Sequence, residues 1–186
     1  MIADIKARKF ARFSVIATQN QSPIRPEQVI DTLNRLLPDT ATVVSDPGTS
    51  CPYYNTYSQQ KHPGRHYITN RAHGALSYAL SAALGAWFGR PDRKVVAMMG
   101  GGSFGFSCGE LETIRRVGAP VTYLVLSNTS FGWIKASQHA DCDARYYNVD
   151  FNRSDHAKIA DGFGIKAWRV ETPEELEPAL QTALAA

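Results

Sequence analysis

The chain has 186 residues, 44% of them hydrophobic and 20% charged, as is usual for a globular protein with one domain. The net charge of +3 is small and the basic residues are scattered, so nucleic-acid binding is not expected. No apolar run approaches the roughly 18 residues of a membrane span, and the N-terminus lacks the apolar stretch of a secretory signal. Three cysteines without a CxxC pair are typical of structural thiols in a reducing compartment, so we expect a cytoplasmic protein.

The chain divides into an N-terminal extension, residues 1–21, and one domain, residues 22–186. The extension combines a short basic stretch with a polar end. Such a composition predicts a solvated arm, and contact with a partner is the alternative interpretation.

The domain alternates between helical and strand patterns. Helices are predicted over residues 26–37, 74–89, 110–118, 154–164 and 173–185, the last one after a capping box at Thr172. Strands are predicted over residues 41–45, 65–69, 94–99, 121–127 and 166–170. The alternation predicts an α/β fold, a doubly wound and mostly parallel sheet with helices on both faces. Residues 129–153 lack periodicity and are predicted to form a long functional loop.

A glycine-rich segment follows the strand at 94–99, where parallel α/β sheets bind ligands. Gly100, Gly102 and Gly105 fit the pattern G-x-G-x-x-G between a strand and a helix. A binding site for a nicotinamide dinucleotide is disfavoured, because the next strand ends at Ser127 and Asn128 without the acid that binds a ribose hydroxyl. Glycines still let backbone amides approach a phosphate beside a helix N-terminus.

Asn128 lies at the end of the next predicted strand, opposite this segment. Its side-chain carbonyl is a suitable oxygen ligand for Mg²⁺ bridged to phosphate. An asparagine that only closes an Asx-turn has the same local sequence. Both interpretations stay open.

Together these residues resemble the thiamine diphosphate-dependent enzymes of the acetolactate synthase and 2-oxoacid decarboxylase type. The family motif runs G-D-G-S and then, after the next strand, N-N. Here it reads Gly100-Gly101-Gly102-Ser103 and then Ser127-Asn128. The resemblance covers about residues 22–186 and includes RPEQVIDTLNRLLP, DPGTS, HGALSYALSAALGA and DHAKIADGFGIKAWRVETPEELEPAL.

The resemblance implies a thiamine diphosphate-binding fold, with thiamine diphosphate and Mg²⁺ as cofactors. The family uses two similar domains, and this chain matches only the one that holds the diphosphate and the metal. It therefore implies a separate partner subunit that binds the aminopyrimidine and carries the catalytic glutamate, as in sulfopyruvate decarboxylase, whose diphosphate-binding beta subunit has a similar length. We expect a hetero-oligomer that decarboxylates a small 2-oxoacid or joins it to a second carbonyl compound as an acyloin.

Site residues follow from the resemblance position by position. Gly74 matches the residue whose carbonyl accepts a hydrogen bond from the aminopyrimidine, and Leu76 matches the apolar wedge that bends the cofactor. Asn128 and the backbone carbonyl of Ser130 match metal ligands. The expected cofactor contacts are Gly48, Thr49, Gly74, Leu76, Gly101, Gly102, Ser103, Asn128, Ser130 and Phe131.

The resemblance also gives the catalytic candidates, which are His73, Leu76, Trp133 and Ile134. The aromatic residues Phe131 and Trp133 are expected near the reacting carbon, with packing in the core as the alternative. His73 is a candidate acid-base group or a packed histidine. Some decarboxylases have an acid where Ile134 falls, so its absence favours carboligation or proton transfer by a partner residue.

Two further side chains and one departure from the motif complete the candidates. Lys135 and His139 either meet an anionic substrate or are solvated. Gly101 stands where the family has its metal-binding aspartate, which predicts weak Mg²⁺ binding because a charged oxygen ligand is lost.

The function therefore has three candidate interpretations. The first is a catalytic subunit, and the second is a degenerate, non-catalytic subunit of the same kind of complex. The third is an unrelated nucleotide- or flavin-binding α/β module, which leaves the resemblance over the rest of the chain unexplained.

Overall fold

The computed structural model describes all residues from 1 to 186 and contains one sheet of four parallel strands. The strands are β1 (Thr42–Ser45), β2 (Tyr67–Ile68), β3 (Val95–Gly100) and β4 (Val121–Leu126), in the order β2-β1-β3-β4. The central strands β1 and β3 are almost wholly buried because helices cover both faces of the sheet. The predicted α/β fold with a parallel, doubly wound sheet is confirmed.

The helices form two layers. The first consists of α1 (Ile2–Ala17), α2 (Pro26–Leu36), α3 (Ser50–Tyr57) and α9 (Pro173–Ala185). The second consists of α4 (Tyr78–Gly89), α5 (Gly101–Ser107), α6 (Leu111–Val117) and α8 (His156–Gly162). Even-numbered residues of β3 face the first layer and odd-numbered residues face the second, as strand geometry requires. None of these helices combines the length and the apolar character needed to cross a bilayer.

The N-terminal segment is a packed helix. Phe13 and Ala17 of α1 are only 2% and 3% exposed and belong to the core of the first layer. The ring of Phe13 stacks on that of Tyr57, with centroids 4.4 Å apart. The prediction of a solvated arm over residues 1–21 is therefore wrong, because the many basic and polar residues of this segment masked a narrow apolar stripe. Contact with a partner stays a prediction.

The strand predicted over residues 166–170 is absent, since this segment pairs with no strand. Ile165 and Ala167 pack against the core of the second layer, whereas Val170 packs against the first. The alternating pattern therefore reflects side chains that face two layers at the edge of the sheet, without a backbone ladder. The capping box after this segment is present, with the Thr172 amide donating to Glu175 Oε2 at 3.1 Å.

The predicted loop at 129–153 contains a helix, α7 (Gly132–Asp141). None of its residues is buried, so it has no apolar stripe that could reveal it in the sequence. The two ends of the loop are joined by a bridge between Ser130 and Asp150. The segment is therefore a folded excursion rather than an open loop.

Two helices begin elsewhere than predicted. The helix expected over residues 74–89 begins only at Tyr78, because Gly74 and Ser77 have left-handed backbones with φ of 74° and 73°. The glycine-rich turn expected after β3 is itself helical, since α5 begins at Gly101. The helix α3, directly after the DPGTS segment, was not predicted.

The sheet reverses its strand order between β1 and β3. From β1 the chain moves to the neighbour on one side, β2, and then to the neighbour on the other side, β3. In parallel sheets such a switch point opens a crevice at the carboxyl ends of the strands. The segments after β1 and β3 flank this crevice, and the segment after β4 lies next to it.

Candidate cofactor-binding site

The segments after β1, β3 and β4 meet at the carboxyl edge of the sheet. A Cβ atom placed on Gly132 would lie 2.9 Å from Asn128 Nδ2 and 3.3 Å from Thr49 Cγ2. A Cβ on Gly102 would lie 2.5 Å from Cε1 of Phe131. Thr49, Gly102, Asn128 and Phe131, which lie far apart in the sequence, therefore line one region.

Phe131 packs directly over the backbone of Gly102. Its ring stacks on Phe106 at 6.1 Å and contacts Phe151 at 5.1 Å between centroids. Because the ring is held by two other aromatic side chains, it cannot move aside without disturbing them. Because glycine has no side chain, the backbone of Gly102 and the ring of Phe131 can lie in direct contact.

Asn128 forms the Asx-turn that was one of its two interpretations. Its Oδ1 accepts a hydrogen bond from the Ser130 amide at 3.3 Å. The turn is tied to the far end of the 129–153 segment, since the Phe131 amide donates to the Val149 carbonyl at 2.8 Å. An amide oxygen has two lone pairs, so this bond leaves one for a metal ion. Metal ligation by Asn128 and Ser130 stays a prediction.

Asp46 is a buried acid at the end of β1. Its carboxylate is fully buried, and Oδ1 accepts a hydrogen bond from the Ala79 amide at the start of α4, at 2.9 Å. Burial raises the pKa of Asp46, and contacts with the Ala79 amide and the Ser103 hydroxyl oppose the shift. Ser103 itself is buried, so Asp46 joins β1, α4 and α5 beneath the crevice.

The raised pKa of Asp46 predicts a pH-dependent stability. The unfolded chain loses this proton at a lower pH than the folded chain, so stability falls as pH rises between the two pKa values. We expect Asp46→Asn, which keeps an acceptor for the Ala79 amide, to raise the Tm of the cofactor-free protein at pH 7.5. The rise should be about 2–4 °C for each kcal/mol added to the free energy of unfolding. Thermal unfolding from pH 3 to pH 8 checks this, and the two melting curves should converge at the acidic end. A variant that is less stable throughout would contradict it.

Residues 73–76 lie in the turn before α4. His73 and Gly74 are exposed, and Leu76 is half-buried. The Asn70 carbonyl accepts from the Gly74 amide at 3.0 Å, and the Asn70 side-chain amide donates to the Ala75 carbonyl at 2.9 Å. These bonds fix the turn. Because His73 is exposed, the packed-histidine alternative does not hold.

Arg71 was not among the sequence candidates and connects this turn to the crevice. Its Nη1 donates to the Pro47 carbonyl, after β1, at 2.9 Å. Its guanidinium carbon lies 5.6 Å from the centroid of Trp133 on α7. A cation fixed between these two segments is suited to an anionic ligand at the mouth of the crevice.

Trp133 and Ile134, at the start of α7, are each 46% exposed. The core-packing alternative therefore does not hold for Trp133. Phe131 is half-buried in its aromatic contacts. The two exposed side chains are free to contact a substrate or a partner surface.

Lys135 and His139 keep exposed surface, as the solvated interpretation expects, and both also make side-chain contacts that hold α7. Lys135 Nζ pairs with both carboxylate oxygens of Asp150 at 2.8 Å. His139 Nδ1 lies 2.8 Å from the Tyr146 hydroxyl. These contacts fasten α7 to the segment that follows it.

His156 was also missed, and it lies against Gly101. A Cβ on Gly101 would be 2.8 Å from Cε1 and 2.9 Å from Nε2 of His156. Burial lowers the pKa of His156, which the nearby Gly101 backbone and Asp155 partly oppose. Nothing in the spacing of the sequence relates residue 101 to residue 156, so only the fold could reveal this contact.

Comparison with known proteins identifies the family. The model of the thiamine pyrophosphate enzyme, C-terminal TPP binding domain, matches residues 46–186. The chain belongs to this family. This match includes the glycine-rich segment and Asn128, so the resemblance to thiamine diphosphate-dependent enzymes is confirmed.

Relatives of the family include several enzymes. The chain is 32% identical over 91% of its length to a probable sulfoacetaldehyde acetyltransferase of Rhizobium meliloti, and 31% identical over 96% to the acetolactate synthase large subunit of Haemophilus influenzae. A thiamine diphosphate-dependent 4-hydroxybenzoylformate decarboxylase of Rhodococcus jostii RHA1 superposes with a TM-score of 0.81 at 26% identity, over 88% of this chain and 31% of that chain. The chain spans 29% and 30% of the two curated relatives.

The crevice fits the diphosphate end of the cofactor better than it fits Mg²⁺. Gly102 is half-buried under the Phe131 ring, and the Thr49 and Asn128 side chains lie together beside Gly132, the residue that follows Phe131. At Gly101, however, an imidazole fills the space in which an aspartate side chain would begin. The residues present therefore fit thiamine diphosphate, but they do not fit a carboxylate-bound Mg²⁺.

Proposed function

We propose that this chain binds thiamine diphosphate by its diphosphate and forms one half of an active site that acts on a small 2-oxoacid. The observation that carries the proposal is the meeting of Thr49, Gly102 and Asn128 at the switch point of the sheet. These are three positions at which the family contacts the cofactor. Family membership over residues 46–186 supports the same assignment.

Each residue of this chain that matches a family site position is assigned its own role towards the cofactor. The backbone of Gly102 is assigned to the diphosphate, the buried Ser103 hydroxyl contacts Asp46 beneath it, and the carbonyl of Gly74 is assigned to the aminopyrimidine. Leu76 supports the bent form of the cofactor. When bound, thiamine diphosphate supplies the carbanion chemistry for breaking or forming a bond beside a carbonyl group.

Two residues at the mouth of the crevice act on the substrate side. His73 is exposed in the turn before α4, and we assign to it the holding or delivery of a proton. Trp133 is exposed at the start of α7 and shapes an apolar wall together with Ile134. An apolar residue at 134 favours carboligation, or protonation by a group outside this chain.

A second protein surface is expected to close the site. Phe106, Trp133 and Ile134 are 66%, 46% and 46% exposed, and the Phe106 ring stacks on Phe131 of the crevice. Exposed apolar side chains grouped in this way are typical of an interaction surface. We propose that a separate subunit covers it, binds the aminopyrimidine and contributes the catalytic glutamate, giving a hetero-oligomer.

The position of Arg71 predicts a role in binding the substrate carboxylate. Arg71→Met is expected to raise KM for the 2-oxoacid roughly tenfold or more and to change kcat little, because a charged hydrogen bond contributes about 1.5–3 kcal/mol. Steady-state kinetics with the assembled enzyme check this, with Arg8→Met on α1 as the control. A fall in kcat at unchanged KM would contradict the assignment.

The alternative, a non-catalytic subunit of such a complex, is favoured by Gly101 in place of the metal-binding aspartate. Native mass spectrometry of the protein purified from its own cells with Mg²⁺ separates the two. A second subunit together with the mass of thiamine diphosphate supports the catalytic proposal. A partner without cofactor supports the structural role, and a chain that is alone and empty contradicts both.

A further inference from the structure

A cavity of about 380 Å³ lies at the amino edge of the sheet, where the strands begin, opposite the crevice. It opens between the start of β1, the segment before β2 and the end of α4. Helix α4 begins beside the crevice, where its Ala79 amide donates to Asp46, and its 12 residues rise roughly 18 Å to the cavity. The cavity is therefore a second site, and its volume is within the range of about 300–1,000 Å³ that is usual for small-molecule sites.

Three arginine residues line this cavity, and no acidic residue does. Arg65 precedes β2, whereas Arg90 and Arg93 follow α4. Arg65 and Arg93 form no ion pair in the chain, and Arg90 has only a long contact with Asp92, at 3.4 Å between Nε and Oδ1. The lining thus carries an excess of positive charge, and a concave surface concentrates the field of such charges.

The carboxyl end of α4 opposes this field only in part. A helix end carries about half a negative charge, and the Arg90 amide already donates to the Ala86 and Trp87 carbonyls there. Arginines that only neutralised the helix end would need to supply one positive charge, not three. The remaining charge is suited to an anion in the cavity.

Thr42 adds a hydroxyl group at the buried side of the cavity. The residue is 5% exposed and, like Val44 two positions on, faces the layer of α4. Its amide donates to the Lys94 carbonyl at 2.9 Å, whereas its hydroxyl has no hydrogen-bond partner in the chain. A buried hydroxyl without a partner is unfavourable, so an oxygen atom of a ligand would stabilise it.

We propose that this cavity binds a phosphate group carried by a small organic molecule. The guanidinium groups of Arg65 and Arg93 bind the phosphate oxygens, because the planar fork of arginine holds two such oxygens at once. Ile68 and Ala86, the apolar part of the lining, contact the organic part. The inference is independent of the proposed function, since none of these residues is assigned to thiamine diphosphate.

The test uses ADP as the probe, titrated by calorimetry at low salt into the full protein with any copurifying partner. Adenosine and inorganic phosphate are titrated in parallel, and thiamine diphosphate is left out. Arg65→Met and Arg93→Met each remove one guanidinium group from the cavity. Arg12→Met, on the exposed face of α1, is the matched control, and Gly102→Ala reports binding in the crevice instead.

We expect ADP to bind more tightly than inorganic phosphate, and adenosine not to bind. Arg65→Met and Arg93→Met should each weaken ADP binding roughly tenfold or more, because each removes charged hydrogen bonds to the phosphate. Arg12→Met and Gly102→Ala should leave ADP binding unchanged. Circular dichroism verifies that each variant is folded.

Asp92→Asn should change the affinity in the opposite direction. The Arg90 side chain holds the pKa of Asp92 below its usual value, so this carboxylate is charged at neutral pH and competes for Arg90. Its removal should strengthen ADP binding roughly twofold or more, as expected for an exposed ion pair. A defect in folding cannot produce such a gain.

Three results would overturn the site. These are the absence of ADP binding, a loss in Arg12→Met equal to that in Arg65→Met and Arg93→Met, and a loss confined to Gly102→Ala. Inorganic phosphate bound as tightly as ADP would overturn the part of the inference that concerns an organic molecule.

Discussion

Gly102→Ala is expected to weaken the binding of thiamine diphosphate roughly ten- to hundredfold, because overpacking of this kind costs about 1–3 kcal/mol. The added methyl group would meet the Phe131 ring at 2.5 Å. The ring cannot withdraw freely, since Phe106 and Phe151 pack against it. Either the ring moves into the crevice or the backbone of α5 shifts away from the diphosphate.

A matched pair of variants isolates this contact. Gly105 lies in the same helix, and a Cβ there meets nothing within 4 Å. Gly105→Ala should therefore leave affinity unchanged, with a small gain in helix stability. Gly102→Ala/Phe131→Ala should recover much of the lost affinity, measured by calorimetry. Equal losses in both single variants would contradict the steric account.

Phe13→Ala is expected to destabilise the protein by about 3–5 kcal/mol, the usual cost of removing a buried phenylalanine. Its side chain joins α1 to α2, α3 and α9 in the core of the first layer and stacks on Tyr57. Against the roughly 5–15 kcal/mol that stabilises a typical protein, this loss is large. Urea unfolding followed by circular dichroism measures it.

The control lies two residues away on the same helix. Val15 is 65% exposed, so Val15→Ala should change stability by less than about 0.5 kcal/mol. If Phe13→Ala were as mild as Val15→Ala, the N-terminal helix would not be an integral part of the first layer. Such a result would restore the solvated arm that the composition suggested.

Periodicity in the sequence revealed the elements that contain long apolar runs. The first five residues of β3 are all buried, and β4 and α4 pack apolar side chains against the core of the second layer, so their sequences carry a strong signal. The helix α7 has no buried residue and gave no signal. The segment at 166–170 alternates correctly between two layers but forms no ladder, because an alternating pattern specifies faces and not hydrogen bonds.

The part of the candidate site that consists of a sequence motif could be predicted. The contacts that form only when distant segments fold together could not. The glycines and Asn128 stand in recognisable order after their strands, and the fold brings them together. Arg71 and His156 became visible only through contacts with Pro47 and Gly101, which are distant in sequence. The burial of Asp46 depends on α4 and α5 together, so local sequence could not reveal its raised pKa.

Calorimetric titration of the protein and its partner with thiamine diphosphate, and in parallel with thiamine, tests the central claim most directly. Recognition at the carboxyl edge of β1, β3 and β4 predicts tight binding of thiamine diphosphate, weak or no binding of thiamine, and a large loss in Gly102→Ala. Equal affinity for the two compounds, or an affinity unaffected by the change at 102, would contradict the claim that this crevice holds the diphosphate.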